Sequence, residues 1–377
     1  MKKSILLSLF LMPFLSWGQY TRIEPEIGIL SPNNILINTT TPTSFVPPLL
    51  GAGTRLMWMP AKGAFRVGTV EGTEWDNLAL TPIGVNSFGA GINAIASGEA
   101  SFVVGKNNTA SAWASAAFGY GTNASGYASV AFGLTSKASG AVSAAFSSGE
   151  ASGVSSFATG SCIASEELST AIGTRCEARG KYSTAMGAWT KAAHEGCFMI
   201  GDNTGGYLNY LTSTTTNRFY ARFSNGYTLY TNSNNTVGVS ISGGGNSWSV
   251  VSDSTKKENF IPANEKYVLE SVAKMRVGTW NYKGQNPAHF RHWGPMAQDF
   301  YTYFGNDSIG TIGNNTSIAS ADMDGVLFTA IKALENRTKI MTDKIATLES
   351  QNAELKATIS GIYEMLSVKQ AQKPITR

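Results

Sequence analysis

Two hydrophobic rhythms divide the chain. From about Gly84 a short element of the form Ser-x-Ala-x-Gly recurs. It reads SFVVG at Ser101, SAAFG at Ser115, SVAFG at Ser129, SAAFS at Ser143, SFATG at Ser156, STAIG at Ser169 and STAMG at Ser183. The steps are 14, 14, 14, 13, 13 and 14 residues. A second element, Ala-Ser-Gly or a relative, keeps step at Ala96, Ala110, Ala124, Ala138, Ala151, Ala164 and Ala178. Each unit has room for two short strands and two glycine-assisted turns. One unit is too thin to bury its own apolar side, so the units are expected to stack into a β-solenoid or roll. Small side chains leave a modest core per chain, and oligomerisation is the expected source of further burial.

The second rhythm is a heptad. Ile331, Thr338, Ile345, Asn352, Ile359 and Leu366 recur every seventh residue, and so do Leu334, Met341, Leu348, Leu355 and Ile362. Together they form an a/d seam over five heptads, which predicts a coiled coil. Glu335, Lys339, Lys344, Glu349, Glu354 and Lys356 suit its wet face. Asn352 at an a position sets register or oligomer state at some cost in stability. Isoleucine at a with leucine at d does not by itself separate two strands from three.

The flanks are less periodic. A proline- and threonine-rich leader runs to Pro48, and Thr54–Val67 alternates as a hairpin around the turn PAKG (Pro60 to Gly63). Tyr20 to Ile83 therefore reads as a cap on the roll. Beyond the roll, Arg218 to Val251 has strand texture broken by Asn/Gly-rich turns, as expected of a small β-stalk shared between chains. Asn264 is placed to cap a helix with Val268, Leu269, Val272 and Met275 on its apolar face, and a strand is expected over Val277–Tyr282. At the other end, Lys2 and Lys3 precede an apolar run from Ile5 to Trp17, then Gly18 and Gln19. That is the pattern of an export signal, so the protein is expected to be secreted or at the cell surface.

Composition narrows the chemistry. Of 377 residues, 42% are apolar and 40 are glycine, a balance that is neither collagenous nor disordered. The net charge of +4 comes without a basic block, so nucleic acid is not an expected partner. The odd set Cys162, Cys176 and Cys197 is no disulfide framework, and no Cys/His group has zinc spacing. No metal or cofactor is expected. Cys162 and Cys176 lie 14 apart and should stack about 4.8 Å apart, as two small buried side chains in a ladder. Glu150, Glu166, Glu167 and Glu177 fall at coil corners and supply no facing carboxylate pair of the kind a glycosidase needs. His194 and His289 read as structural.

Two resemblances follow from these motifs. The seven repeats resemble the head repeats of trimeric autotransporter adhesins of the YadA type, over roughly Gly84 to Asn203. This implies a left-handed parallel β-roll with three chains side by side, and a head that meets a host-surface protein or glycan. The second rests on an ordered set: SD at Ser252 and Asp253, KENF at Lys257 to Phe260, WNYKG at Trp280 to Gly284, HWGPMAQDF at His292 to Phe300, and DMDGV before the terminal helix. This set resembles the peptidase S74 domain, the intramolecular chaperone at the C-terminus of phage tailspikes, tail fibres and endosialidases.

In that family a Ser-Lys dyad cuts the chain at the serine once the trimer has formed. The serine maps onto Ser252 and the lysine onto Lys257, which implies a single-turnover autoprotease with no external substrate. The scissile bond is expected at Val251–Ser252. A serine hydroxyl needs a base. An ordinary lysine, with pKa about 10.4, is protonated at neutral pH, and burial in a trimer interface would free its amine. Asp253 would orient the loop or bond its own turn. His292 and Gln298 sit in the matching motif; packing or capping is the role expected first for both, with polarising the carbonyl or orienting groups as the alternative.

The expected fold is mainly β with an α+β C-terminal domain. It comprises a signal peptide (1–18), a β cap (20–83), the roll (84–203), a β-stalk (204–251), a chaperone domain (252–330), a coiled coil (331–366) and a disordered tail (367–377). The expected function is an exported homotrimeric fibre or adhesin that is assembled and then cut by its own chaperone. The alternative is a non-cleaving adhesin that keeps the chaperone as an anchor.

Overall fold

The computed structural model describes residues 51–76 and 83–371. The expected export signal, the leader up to Pro48 and the last six residues lie outside the described residues. The described chain divides into two units. One holds residues 51–227 and 241–247, and the other holds residues 228–240 and 248–371.

The first unit is a β-solenoid. Its strands from Gly53 to Arg222 make one continuous ladder, parallel throughout except for the opening hairpin Gly53–Met59 with Ala64–Val70. The hairpin turns through Pro60–Lys62 and Gly63, and its second strand pairs in parallel with Phe88–Ile92, the first strand of the repeats. Each of the first four turns, from Phe88 to Ala138, then supplies one five-residue strand and one two-residue strand. Phe102–Lys106 lies on Ala116–Tyr120, and Thr109–Ala110 lies on Asn123–Ala124.

The register explains the repeat. Interior columns run Val103, Ala117, Ala131, Ala145, Ala158, Ala171, Ala185 and Ala110, Ala124, Ala138, Ala151, Ala164, Ala178, all fully buried. Only side chains of this size let two sheets approach so closely. The serine that opens each element is buried too, and several close their own corner. Ser115 Oγ donates to Ala112 O at 2.7 Å, and Ser156 Oγ donates to Gly153 O at 2.7 Å. The residue before that serine is left-handed in every repeat, from Ala114 (φ 51°) to Val142 (φ 58°). Cys162, Cys176 and Cys197 are free and buried in this core.

The N-terminal end of the roll is plugged by Arg66. It is buried and donates from Nη1 to Phe65 O and Ser87 O and from Nη2 to Ser87 Oγ and Ala96 O. Burial pushes its pKa down to about 10, which leaves it charged at neutral pH. Trp75, Met59 and Ile83 cover the same end, with Trp75 Nε1 donating to Ala94 O at 2.8 Å.

At the other end the solenoid runs further than the repeats suggest. Leu211–Thr212 and Phe219–Arg222 still pair in parallel with the last repeat strands, after an insertion over residues 202–210. RFYARF, placed in the stalk by its sequence, is therefore roll. A three-stranded sheet follows, formed by Gly226–Tyr230, Gly238–Ser242 and Ser249–Val250, with no fully buried residue.

The second unit carries three helices and the two-stranded ribbon of Val277–Trp280 with His292–Pro295. α1 (Glu265–Val272) is capped by Asn264, whose Oδ1 accepts Tyr267 N at 3.0 Å. α2 spans Ala297–Phe304 and α3 spans Ser320–Ala371. At 52 residues α3 is about 78 Å long. It starts well before the heptads, so DMDGV lies inside the helix, not ahead of it. It also continues through Ala371, into the stretch expected to be a disordered tail. α1 packs on α3 through Val268, Ala330 and Ala333, and Glu265 binds Lys332 (2.8 Å) and Asn336 (2.6 Å). The heptad seam beyond, from Met341 to Leu366, is exposed along its whole length. No described helix is long and apolar enough to cross a membrane.

Candidate functional site

The final strand of the small sheet, Ser249–Val250, delivers the chain to Ser252 after one further residue. A single 3-10 turn, Ser254–Lys256, then reverses it. Asp253 builds that turn as its N-cap. Its carboxylate accepts Thr255 N at 2.9 Å and Thr255 Oγ1 at 2.8 Å. The bond from the Thr255 amide, joined by its hydroxyl, holds the Asp253 carboxyl below the usual aspartate value. Asp253 thus bonds its own turn, the second of the two roles expected of it.

The turn brings its two ends together. Lys257 Nζ donates a hydrogen bond to Ser252 Oγ at 2.8 Å. A hydroxyl and an amine at this distance form the contact that a serine nucleophile and its base require. Both side chains are solvent-exposed in the single chain. Lys256, beside Lys257, closes the 3-10 turn through its backbone, donating from N to Asp253 O at 3.1 Å.

His292 and Gln298 are placed otherwise. His292 lies on the strand His292–Pro295, paired with Val277–Trp280, and faces Trp280 in register. Its ring stacks on Trp280 with centroids 4.7 Å apart and meets Tyr282 edge-on at 5.2 Å. Gln298 opens α2, where its carbonyl accepts Thr302 Oγ1 at 2.7 Å. Among the described residues no hydrogen bond joins either one to Ser252 or Lys257. His292 is engaged in ring packing, and the N-terminus of α2 has no side-chain cap hydrogen bond.

One anchor of this segment was not singled out from sequence. Arg276 binds Asp299 through both guanidinium arms at 2.8 Å, and its backbone N donates to the same carboxylate at 3.3 Å. The bonds from Arg276 lower the Asp299 carboxyl and raise the guanidinium. This fork ties the start of the two-stranded ribbon to α2. Asp299 sits in the MAQDF motif, but nothing in the sequence pairs it with a residue 23 positions upstream.

The second unit exposes many large apolar side chains. Phe260 is 88% exposed and Trp293 78%, and Val250, Val251, Tyr282 and Phe290 are exposed as well. Only Val268, Phe300, Ala330 and Ala333 are buried hydrophobics in this unit among the described residues. So little core for so many large apolar side chains is the composition of an assembly interface. No curated protein matches the sequence. The segment that carries the Ser252–Lys257 contact, residues 252–307, matches the family model of peptidase S74, the chaperone of endosialidase.

Proposed function

We propose that the C-terminal unit is an intramolecular trimerisation chaperone that cuts its own chain at Val251–Ser252 once three copies have come together. The observation that carries this reading is the 2.8 Å contact of Lys257 Nζ with Ser252 Oγ inside the family-matched segment. In the single chain the lysine donates to the hydroxyl, and an ammonium cannot accept the hydroxyl's proton. Burial between three chains disfavours the charged ammonium and leaves an amine that can act as a base. Ser252 Oγ then attacks the Val251 carbonyl as its proton passes to Lys257. The Val251–Ser252 amide breaks with that proton moving to the Ser252 nitrogen, water hydrolyses the ester left on Oγ, and cleavage reports assembly.

The proposed assembly is a homotrimer. The exposed seam of α3 becomes a three-stranded coiled coil, and the roll becomes a left-handed YadA-type head packed against two copies. A spine of phenylalanine rings supports this reading. Phe65, Phe88, Phe102, Phe118, Phe132, Phe146 and Phe157 contact one another in sequence along one face, and Phe102 and Phe132 are exposed. The chaperone's physical task is register. Near-identical repeats can pair one turn out of step, and joining the C-terminal ends first makes zipping nearly intramolecular. Residues 1–18 direct export, and the head faces a host-surface protein or glycan.

The test is the intact mass of the purified product. The wild-type chain is expected as two fragments separated at Val251–Ser252, and Ser252→Ala as one. Wild type and variant of equal, uncut mass would leave the second reading, a retained anchor with a silent dyad. The exposure of both side chains favours that reading in the monomer.

A further inference from the structure

Cys162 and Cys176 stand in an interior column that also holds Asn108, Thr122, Ser136 and Thr190. Asn108 Nδ2 donates to Val104 O (2.8 Å) and Gly119 O (2.6 Å), and its Oδ1 accepts Thr122 N at 2.8 Å. Ser136 Oγ donates to Phe132 O (2.8 Å) and accepts Ser148 N (3.1 Å). Thr190 Oγ1 donates to Met186 O at 3.4 Å. Cys176 plays the same part. Its thiol donates to Ile172 O (3.5 Å) and Gly187 O (3.2 Å), and its N donates to Cys162 Sγ (3.3 Å). A thiol is a weaker donor and acceptor than a hydroxyl. Ladder bonding alone gives no reason for sulfur in two successive turns.

The pairing sets the two sulfurs side by side. Ser161 faces Thr174 and Ile163 faces Glu177, with a register shift between them, so Cys162 lies opposite the pair Arg175 and Cys176. Neighbouring strands lie about 4.8 Å apart, inside the Cα separations of roughly 4.4–6.8 Å that a disulfide spans. Cys162 Sγ already touches the Cys176 amide nitrogen, three bonds from the second sulfur. The approach of the two thiols raises Cys162, as burial also does, and lowers Cys176 against burial, so Cys176 is the first of the two to ionise. Cys197 has no such neighbour, since it lies opposite Ser183 in the ladder and donates to Thr215 O at 3.0 Å.

We propose that Cys162 and Cys176 form a disulfide across two turns of the roll, closed by exchange with a disulfide-bearing oxidant (R–S–S–R) where the chain folds. The Cys176 thiolate attacks one oxidant sulfur, and a mixed disulfide forms as one R–S⁻ leaves. Cys162, as thiolate, attacks the Cys176 sulfur, the cross-turn bond forms, and the second R–S⁻ leaves. The two cysteine protons end on two R–SH, so the oxidant is reduced by the two electrons that the cysteines lose. Both sulfurs are buried in the closed roll, so the exchange takes place while the turns are still stacking.

The experiment uses the full chain produced in an oxidising and in a reducing compartment, denatured without reductant and titrated with a thiol reagent. Three reactive thiols are expected from the reducing compartment. One is expected from the oxidising compartment, with the fragments carrying Cys162 and Cys176 linked. Cys162→Ser keeps a hydroxyl in the column, as Ser136 does, and is expected to fold with two free thiols. Cys197→Ser is expected to show none. Three thiols from both compartments would overturn the proposal, as would a bond that engages Cys197.

Discussion

A methyl group placed on Gly119 would lie 2.0 Å from the carbonyl oxygen of Gly133, one turn further along the roll. The same close approach recurs from Gly68 to Gly91, Gly91 to Gly105 and Gly105 to Gly119. The backbones in this column touch, and φ at Gly119 is +115°, a region closed to L side chains.

Gly119→Ala should therefore cost about 3 kcal/mol or more, combining overpacking with backbone strain. Gly121→Ala is the control. Its φ is +65°, its added methyl would meet only Thr135 Cγ2 at 3.5 Å, and Asn107 and Thr135 already hold the equivalent position. About 1 kcal/mol is expected there. Denaturant titration of the two variants checks the difference, and equal losses would show that the column is not close-packed.

Asp253 should act on cleavage through its turn. Asn is as good an N-cap as Asp and Ala is a poor one. Asp253→Asn should keep the cleavage rate near wild type, while Asp253→Ala slows it several-fold with the chain still assembled. Because the folded carboxyl is lowered, the cap's contribution is full above the ordinary aspartate value of 3.8 and fades as pH falls through the lowered one. Rates measured across the acid range should show this in wild type and not in the Asn variant.

The Arg276–Asp299 fork predicts its own pH dependence. Asp299 is lowered from 3.8, so the stabilising bond is present at neutral pH and lost only in acid, as pH falls through the folded value. The difference in thermal midpoint between wild type and Asp299→Asn should be constant from about pH 5 to 8 and shrink below that range. Arg276→Lys should lose most of the same increment, because an ammonium cannot make the two-armed contact.

Leu348 and Glu349 separate seam from surface on α3. Leu348→Ala should cost about 2–5 kcal/mol per chain in the assembled state, and Glu349→Ala close to nothing. Sedimentation at several concentrations reads this as dissociation of the Leu348 variant alone.

Much of the solenoid could be read from the chain because one physical demand recurs. Every turn needs the same small residue at the same interior site, so Ala110 and Ala124 announce the register. The helix seam is legible for the same reason. What escaped reading is local and unrepeated. The 202–210 insertion hides the last turn of roll, because Phe219–Arg222 no longer keeps the period. The start of α3 at Ser320 escaped because Asp322, Asp324 and Gly325 look like a loop, although acidic residues suit a first helical turn. The serine and lysine of the site were legible through their motif. Arg276 was not, because its partner lies across a ribbon, whereas packing is the role expected first for His292 and its ring stacks on Trp280.

The account's central claim is that assembly arms Lys257 against Ser252. The direct test is to separate the freshly made chain by size and record the intact mass of each species over time. Trimer should carry the cut at Val251–Ser252, with monomer uncut and Ser252→Ala uncut in both. Monomer cut at that bond, or a cut that persists in Ser252→Ala, would contradict the account.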